Sequence, residues 1–345
     1  MSRFIIALGV CSLLAAAIRA EDDPKKLALL SAEEAGPDFA VQGEYSGRFD
    51  TDEGERKVGV QVIALGDGKF RAQAYVGGLP GDGWNGETCI QAEGETKDGE
   101  TVFTGDNGPG VIKDGALTVY NGEGDELGRL EKVHRKSPTL GAKPPEHAVV
   151  LFPMKMDTSH VTVGEGKFLV PAQFEAGRVG KDGLLMPGAV SQERFQDCTL
   201  HMEFLLSFMP HARGQARSNS GVYLQGRYEV QILDSFGLEG RNNECGGIYE
   251  IADPAVNMCY PPLSWQTYDI EFTAARFDES GKKTADARMT VKHNGVVIHE
   301  NVEVPRTTRG GRVGEESAKP GPIYIQDHGN PLRFRNVWIV VKETK

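Results

Sequence analysis

The sequence predicts an all-β protein with two domains. Apolar and polar residues alternate with a period of two along most of the chain, as in strands that bury one face. Glycine-containing turns separate these segments, and helical spacing is confined to residues 23–35. A connector rich in proline and lysine, residues 137–147, divides the pattern. We therefore expect a small all-β domain at 21–136 and a larger β domain at 148–345, and a hydrophobic content of 39% is enough for two cores.

Residues 1–20 have the pattern of a secretory signal peptide. Arg3 precedes an apolar run over residues 4–17, and small residues follow it. The run is too short to span a bilayer, and no later stretch approaches the roughly 18 apolar residues of a membrane helix. Cys11 would be a lipoprotein site only if a small residue preceded it, and Val10 is larger. We expect an exported protein, periplasmic or extracellular, with neither a lipid nor a membrane span.

The charge composition argues against nucleic acid as a partner. The chain has 38 lysine and arginine residues scattered among 49 aspartate and glutamate residues, and its formal net charge is −11. Binding to a polyanion requires clustered basic side chains. An acidic surface is instead compatible with a neutral extracellular substrate.

Four cysteines follow the signal peptide, namely Cys89, Cys198, Cys245 and Cys259. Export permits disulfides, and the pair that the sequence favours is Cys245 with Cys259, which would close a short loop containing glycine and proline. The alternative is that all four are small buried thiols, and we expect this of Cys198, which lies in a predicted strand. No CxxC motif or His/Cys spacing in the sequence indicates a structural zinc.

The first predicted element is a short helix at residues 23–35, which Pro24 begins and Gly36-Pro37 end. The rest of the small domain consists of short alternating segments separated by glycine. These segments predict two strand pairs, 58–65 with 69–76 and 101–103 with 116–120. No motif in this domain indicates a chemical function.

The larger domain alternates more strongly. Residues 199–208 predict a strand whose five apolar side chains lie in the core, and residues 265–273 predict a half-buried strand. The segments on either side of Asn294-Gly295 predict a hairpin, because both central positions of a type I′ turn need positive φ. Residues 237–262 lack periodicity and could form a wall over the central strands.

The most informative stretch is RSNSGVYLQGRYEVQILDSF at residues 217–236. Its alternation predicts two strands that turn at Gln225-Gly226. In the second strand Arg227, Glu229 and Gln231 share one face, because successive side chains point to opposite sides. The simplest alternative is that Arg227 and Glu229 form only a surface ion pair.

Asp234 has the wrong parity for that face, but a β-bulge near Leu233 would turn its carboxylate towards Glu229. The two carboxyl groups would then be about 5–7 Å apart, which is in the range for a nucleophile and a general acid in glycoside chemistry. The sequence therefore predicts a site with paired carboxylates on this sheet.

The segment SNSGVYLQGRYEVQILDS resembles the central motif of the 3-keto-disaccharide hydrolase family. Three later segments are similar to the rest of that family's pattern, in the same order: WQTYDI from Trp265, the Asn294-Gly295 turn, and GPIYIQDHGNPLRFRNVWI from Gly321. The resemblance implies a concanavalin A-like jelly-roll β-sandwich for residues 148–345, with a small carbohydrate as the substrate.

The spacing Glu229-x-Gln231-x-x-Asp234 is also similar to the ExDxxE strand of the laminarinase-like glucanases, which share that fold. Gln231 replaces the middle aspartate, and Asp234 replaces the last glutamate. This departure argues against the ordinary retaining mechanism of those enzymes.

The resemblance and the residue pattern together indicate three candidate catalytic residues. We expect Glu229 to act as base or nucleophile, and Asp234 or His328 to act as acid. His328 lies at the end of a predicted strand, and histidine is a side chain that can transfer protons near neutral pH. The alternative is that His328 is only a hydrogen-bonded polar residue at a strand end.

Four further residues are candidates for substrate binding. Arg227 and Gln231 would donate hydrogen bonds to sugar hydroxyls or to a ring ketone. Asn219 and Gln326 lie in the two segments that most resemble the family, and Gln326 has the same parity as His328. We expect all four to surround one sugar.

Two functions fit these residues. The first is a hydrolase that breaks the glycosidic bond of a sugar oxidised at C3, where the ketone acidifies the C2 proton so that a base can remove it and expel the group at C1. The second is a noncatalytic lectin-like module that presents the same concave face. A carboxyl group with a raised pKa in the cleft would favour the enzyme.

The sequence leaves a divalent metal open. Glu229, Asp234, His328 and Asp253 could form an oxygen-rich calcium or manganese site, but such ligands have no readable spacing here. We assign no cofactor, and the sequence does not determine the oligomeric state.

Overall fold

The computed structural model describes residues 23–51, 54–87, 89–105, 108–158 and 170–342. Within these ranges the chain is almost entirely β-structure, which confirms the predicted all-β class. No helix in them is long and apolar enough to cross a membrane. The predicted signal peptide, with its cysteine, lies outside the described residues, and export therefore remains a prediction.

The first part of the chain forms a set of strands that close into an antiparallel barrel. These strands are β1 Gly43–Thr51, β2 Gly54–Gly66, β3 Lys69–Val76, β4 Cys89–Lys97, β5 Glu100–Thr104, β6 Gly110–Lys113, β7 Ala116–Tyr120 and β8 Glu126–Val133. Each pairs with the next, and β8 pairs with β1. In β2, Val60 and Val62 face the barrel core, whereas Ile63 on the opposite face packs into the core of the second part. The outer face of β2 therefore joins the barrel to the rest of the molecule.

Two short helical segments precede the barrel, and they differ from the helix predicted at 23–35. The structure has a 3₁₀ turn at Pro24–Lys26 and a helix, α1, at Gly36–Val41. Pro37 lies in the first turn of α1, where a backbone N–H is not needed. Gly36-Pro37 therefore begins this helix rather than ending an earlier one.

The predicted hairpin of 58–65 with 69–76 is confirmed as β2 and β3. The second predicted pair is wrong, because β6 lies between β5 and β7 and pairs with both. Strand β6 has only four residues, which are too few to show a clear alternation in the sequence.

The second part of the chain forms two larger antiparallel sheets. Its strands are β9 Val149–Phe152, β10 Phe174–Ala176, β11 Ala189–Phe195, β12 Cys198–Leu205, β13 Ser220–Leu224, β14 Tyr228–Ile232, β15 Trp265–Thr273, β16 Arg276–Phe277, β17 Lys283–Ala285, β18 Ala287–His293, β19 Val296–Val304, β20 Gly321–Ile325 and β21 Arg333–Val341, with a 3₁₀ turn at Gly214–Ala216. One sheet has the order β10-β11-β20-β13-β14, and the other has the order β19-β18-β15-β12-β21-β9. Val222 and Val230 of the first sheet share a core with Leu200 and Ile270 of the second. The two sheets therefore form the predicted β-sandwich.

The predicted connector packs along the six-stranded sheet. The hydroxyl oxygens of Ser137 and Thr139 lie 2.6 Å and 2.9 Å from that of Thr267, and the Gly141 N–H donates to Oε1 of Glu203 over 2.6 Å. Glu203, on the face of β12 opposite the core, is therefore buried. The connector is part of the folded structure rather than a free spacer.

The described cysteines are free thiols, so the favoured disulfide between Cys245 and Cys259 is wrong. Sγ of Cys245 lies 3.2 Å from the Tyr268 hydroxyl oxygen, and the Cys259 thiol donates to the Leu233 carbonyl over 3.6 Å. Each sulfur atom thus has a polar partner of its own in the core. Cys198 is buried, as predicted.

Candidate functional site

A polar cavity of about 330 Å³ lies on the face of the five-stranded sheet that points away from the core. Its lining residues are Gln215, Asn219, Glu229, Gln231, Tyr249, Arg309, Gly310, Gln326 and His328. This volume is at the lower end of the range of about 300–1,000 Å³ that is usual for small-molecule sites. The cavity is therefore large enough for a small ligand.

The β13–β14 hairpin directs the central carboxyl group into this cavity. Gln225 and Gly226 have φ values of 55° and 62°, so the chain turns where the sequence predicted. The pairing sets Tyr223 opposite Glu229. Because side chains alternate, the apolar even-numbered residues of both strands pack in the core. Glu229 and Gln231 consequently share the face that was predicted for them.

Glu229 is a buried carboxyl group with a raised pKa. The residue is 2% exposed, and the Tyr223 hydroxyl donates to its Oε2 over 2.6 Å. Burial raises the pKa of Glu229 to about 8, the hydrogen bond from Tyr223 opposes this shift, and the charge of Glu250 adds to it. The group can therefore change between its neutral and ionised forms near neutral pH.

The hydroxyl group of Tyr223 connects Glu229 to two other groups. It lies 2.7 Å from the carbonyl oxygen of Arg309, and Nε2 of Gln326 donates to it over 3.0 Å. One phenolic proton cannot be donated to both Glu229 and the carbonyl at once. When Glu229 is protonated, it can itself donate to Tyr223, which frees the phenolic proton for the carbonyl. The network therefore accommodates both protonation states of the carboxyl group.

Two glycines leave room for this network. A Cβ atom at Gly221 would lie 2.0 Å from Oε1 of Glu229. Gly310 has a φ of +79°, and a Cβ atom there would lie 2.8 Å from the Tyr223 hydroxyl oxygen and 2.7 Å from Nε2 of Gln326. Neither position accepts a side chain unless the carboxyl group or its partners move.

Two buried acceptor atoms beside the cavity, Oδ1 of Asn219 and Oε1 of Gln326, have no hydrogen-bond partner among the described residues. The amide nitrogens are both engaged, because Nδ2 of Asn219 donates to the Gln215 carbonyl over 2.7 Å and Nε2 of Gln326 donates to Tyr223. A buried acceptor that lacks a donor costs free energy. Sugar hydroxyl groups are donors of the required kind, so the cavity suits a polyhydroxylated ligand.

Five of the seven predicted site residues line the cavity together. They are Asn219, Glu229, Gln231, Gln326 and His328. Strand β20 ends before Gln326, so the last two residues follow the strand rather than lie within it. Gln326 is buried and His328 is exposed, which places one at the floor and the other at the rim of the cavity.

Arg227 does not line the cavity, so the structure does not support the predicted contact between Arg227 and the sugar. Its guanidinium group donates to the carbonyl oxygens of Glu315 and Lys319 over 3.0 Å and 3.1 Å, and to Oγ of Ser317 over 3.0 Å. Arg227 therefore holds the segment before β20. The alternative of a surface ion pair between Arg227 and Glu229 is also wrong, because both residues are buried and each has other partners.

Asp234 does not line the cavity either, and the predicted pair of carboxylates is not formed. Its Oδ2 accepts a hydrogen bond from Nε of Arg217 over 2.5 Å, in an ion pair whose side chains are 1% and 6% exposed. The Asp234 N–H also donates to the Arg217 carbonyl over 3.1 Å. Strand β14 has already ended at Ile232, so no bulge turns this carboxylate towards Glu229.

Five residues that form the site were not predicted from the sequence: Gln215, Tyr223, Tyr249, Arg309 and Gly310. Tyr223 could have been found, because a turn at Gln225-Gly226 sets it opposite Glu229. Tyr249 lies in the segment 237–262, which the sequence predicted as a wall over the central strands. Gln215, Arg309 and Gly310 come from segments outside the strands, and no sequence signal brings them to this cavity.

The proposed oxygen-rich metal site is not assembled. Oδ1 of Asp253 accepts a hydrogen bond from the Asn242 N–H over 2.6 Å, and Asp234 is occupied by Arg217. In the part of the chain that the structure describes, no group of three or more histidine, cysteine, aspartate and glutamate residues could hold a metal ion.

Comparison with known families gives one match. The family model for 3-keto-disaccharide hydrolases, described as a 3-keto-alpha-glucoside-1,2-lyase-like domain, matches residues 164–340. This range includes the cavity and all of the five-stranded sheet from β10 onwards. No curated protein matches the chain.

Two solved structures to which the chain is similar are both described as a "putative glycosyl hydrolase" from Parabacteroides distasonis. The first is 30% identical, with coverage of 57% of this chain and 84% of that chain, and a TM-score of 0.46. The second is 18% identical, with coverage of 49% of this chain and 91% of that chain, and a TM-score of 0.34.

Proposed function

The chain belongs to the family of 3-keto-alpha-glucoside-1,2-lyase-like domains, and from this premise we propose that it breaks the glycosidic bond of a sugar that carries a ketone at C3. Membership confirms the resemblance seen in the sequence motifs and makes the protein a carbohydrate-active hydrolase. The observation that supports this more specific reaction is Glu229, a buried carboxyl group with a pKa of about 8 on the wall of a polar cavity.

The proposed reaction is an elimination followed by addition of water. A ketone at C3 acidifies the hydrogen at C2, and the ionised carboxylate of Glu229 removes that proton. The electron pair forms a C1–C2 double bond, and the C1–oxygen bond breaks to release the alcohol. Water then adds across the double bond, so that the net change is hydrolysis. A base with a pKa near neutral combines adequate strength with a useful ionised fraction.

Other lining residues provide donors for the charges that develop. Arg309 lines the cavity, and its exposed guanidinium group lies 3.4 Å from Oε1 of Glu250, so we infer that it can turn towards the enolate oxygen. His328 at the rim can protonate the departing oxygen. Asn219 and Gln326 each provide a buried acceptor for a sugar hydroxyl.

The arrangement of carboxyl groups favours elimination over the retaining mechanism of glucanases. The retaining mechanism needs two carboxyl groups about 5–5.5 Å apart. Of the described residues that line the cavity, Glu229 is the one with a carboxyl group. Asp234, the predicted second member, is held by Arg217. A single base is sufficient for removal of a proton from C2.

The noncatalytic alternative is less well supported. A buried carboxyl group with a raised pKa reduces stability when it ionises, and a sugar-binding module has no need of one. The same cavity without a base would bind the same hydroxyl groups. Glu229 is therefore the feature that favours an enzyme over a lectin-like module.

We expect the enzyme to cleave a 3-keto-glucoside and to leave the unoxidised parent glucoside intact, because only the ketone acidifies the C2 hydrogen. Both sugars should be assayed side by side, and exchange of the C2 hydrogen with solvent deuterium should be followed by NMR. Equal cleavage of both sugars would contradict the elimination route. Binding of both without cleavage or exchange would instead support the lectin-like alternative.

The pKa of Glu229 predicts the pH dependence of kcat/KM. The active form of Glu229 is the carboxylate, so we expect its ionisation to give kcat/KM a limb that rises with pH, with a midpoint near pH 8. Tyr223→Phe removes the hydrogen bond that lowers the pKa of Glu229, and we expect it to move the midpoint to higher pH. Glu250→Gln removes a charge that raises this pKa, and we expect it to move the midpoint to lower pH.

Opposite shifts in these two variants would be difficult to produce by general loss of structure. Each variant should therefore be profiled over the same pH range as the wild type, with thermal unfolding as a check on folding. Shifts in the same direction, or no shift in either variant, would show that Glu229 is not the group that controls the rate.

A further inference from the structure

The barrel contains an apolar cavity that has no part in the proposed function. Its volume is about 260 Å³, and every described residue that lines it is apolar or glycine. Phe49, Phe103 and Val119 line it from positions near the ends of β1, β5 and β7. The cavity therefore occupies one end of the barrel.

The other end of the barrel is filled by side chains. Tyr45, Phe70 and Leu130 are buried there, in a cluster that also includes Phe208 from the sandwich. Phe39 of α1 packs against Phe208 with the ring centroids 5.4 Å apart. This end is thus closed by large side chains and by α1.

Small residues create the space at the open end. Ala72 and Ala74 of β3, Ala92 of β4 and Gly110 of β6 all line the cavity. The interior of an eight-stranded barrel is wide enough to be filled by side chains or to hold one small ligand. Larger residues at these four positions would fill the barrel, as aromatic residues do at the closed end, so their small size leaves a chamber.

The chamber opens to solvent beside Ile90. This residue lines the cavity and is nevertheless 46% exposed. Phe49, Ala92 and Val119 are also only partly buried. Apolar surface that remains in contact with water is unfavourable, and an apolar ligand would cover it.

We propose that the barrel binds one alkyl chain, as found in a medium-chain fatty acid, which enters beside Ile90 and leaves its polar group at the mouth. An alkyl chain needs no hydrogen-bond partner, and the lining side chains provide none. A sugar or an ion in this chamber would lose its hydration without replacement. The inference is independent of the carbohydrate site, because the two cavities share no lining residue.

Fluorescence titration of the full chain with anilinonaphthalene sulfonate, followed by displacement with dodecanoate, tests this proposal. We expect one saturable site from which dodecanoate, and not glucose, displaces the dye. Ala92→Leu fills the chamber with an apolar side chain, and we expect it to weaken dodecanoate binding roughly tenfold or more. The matched control is Glu93→Leu, which adds the same side chain at an exposed position one residue along β4 and should bind like the wild type.

The proposal is overturned if dodecanoate does not displace the dye from the wild type, or if folded Ala92→Leu binds it as well as the wild type does. A measurement on the wild type decides the question even when Ala92→Leu does not fold. Dodecanoate should shift the methyl NMR signals of Leu117 and Val119 in the barrel and leave those of Leu200 and Ile270 in the sandwich core unchanged. Shifts confined to the sandwich would overturn the proposal.

Discussion

We expect Glu229→Gln to lower kcat on a 3-keto-glucoside by about a hundredfold or more, with little change in substrate affinity. The amide has nearly the same size as the carboxyl group and can still accept the hydrogen bond from Tyr223, but it cannot take a proton from C2. Steady-state kinetics and calorimetric titration with the unoxidised sugar measure the two quantities. Glu193→Gln, at an exposed carboxyl group on β11 of the same sheet, is the control and should keep full activity.

Glu229→Gln should also become more stable than the wild type as the pH rises. The pKa of Glu229 is about 8 in the folded protein against an ordinary glutamate value of 4.5, so the folded state binds the proton more tightly than the unfolded state. The contribution of this carboxyl group to the free energy of unfolding is fully present below pH 4.5 and is lost as the pH rises through 8. The variant does not undergo this loss, so at pH 9 its free energy of unfolding should exceed that of the wild type by on the order of a few kcal/mol.

Denaturant unfolding of both proteins at pH 5 and pH 9 measures this difference. If Glu229→Gln is stable but inactive, its loss of activity does not result from unfolding. A variant that keeps most of its activity would refute the role of Glu229 as base. Equal pH dependence of stability in the two proteins would show that the buried carboxyl group does not have the raised pKa on which the proposed function depends.

The centre of the site could be predicted because it depends on local alternation. Glu229 and Gln231 share a face in any regular strand, and core packing of the residues between them fixes which face it is. The same argument, applied across the turn, would have placed Tyr223 beside Glu229. The fold class was predictable for the same reason, because strand periodicity is a property of short segments.

The roles of Arg227 and Asp234 could not be predicted because distant residues determine them. The carbonyl groups that Arg227 holds are 88 and 92 residues further along the chain. Asp234 is held by Arg217, 17 residues earlier, and no periodicity relates the two. A buried cation binds the nearest carboxylate regardless of its parity along a strand.

The closure of the barrel is another long-range property. Hairpin signals identify neighbouring strands, whereas closure depends on β1 pairing with β8, with Glu44 opposite Val133. The sequence therefore predicted a small all-β domain but not its chamber. The chamber results from which positions face inward once the barrel is closed, and alternation in single strands does not contain that information.

We expect Asp234→Asn to destabilise the protein by about 3–5 kcal/mol, because it leaves the buried guanidinium group of Arg217 without a counter-charge. Arg217 also donates to the Ala64 carbonyl of β2 over 3.3 Å, so the ion pair lies where the sandwich meets the barrel. Burial and the charge of Arg217 lower the pKa of both Arg71 and Arg213. Three guanidinium groups are therefore close together, and Asp234 offsets part of their repulsion.

Asp234 is held by Arg217 and does not line the cavity, so the folded fraction of Asp234→Asn should keep kcat within about twofold of the wild type. Urea unfolding and kinetics at a temperature where the variant is folded measure the two effects. Glu55→Gln, which breaks the exposed ion pair with Arg48 at the tip of β2, is the matched control and should change stability by less than about 1 kcal/mol. Unchanged stability would contradict the structural role of this ion pair, and unchanged stability together with a large loss of kcat would indicate that Asp234 acts in catalysis.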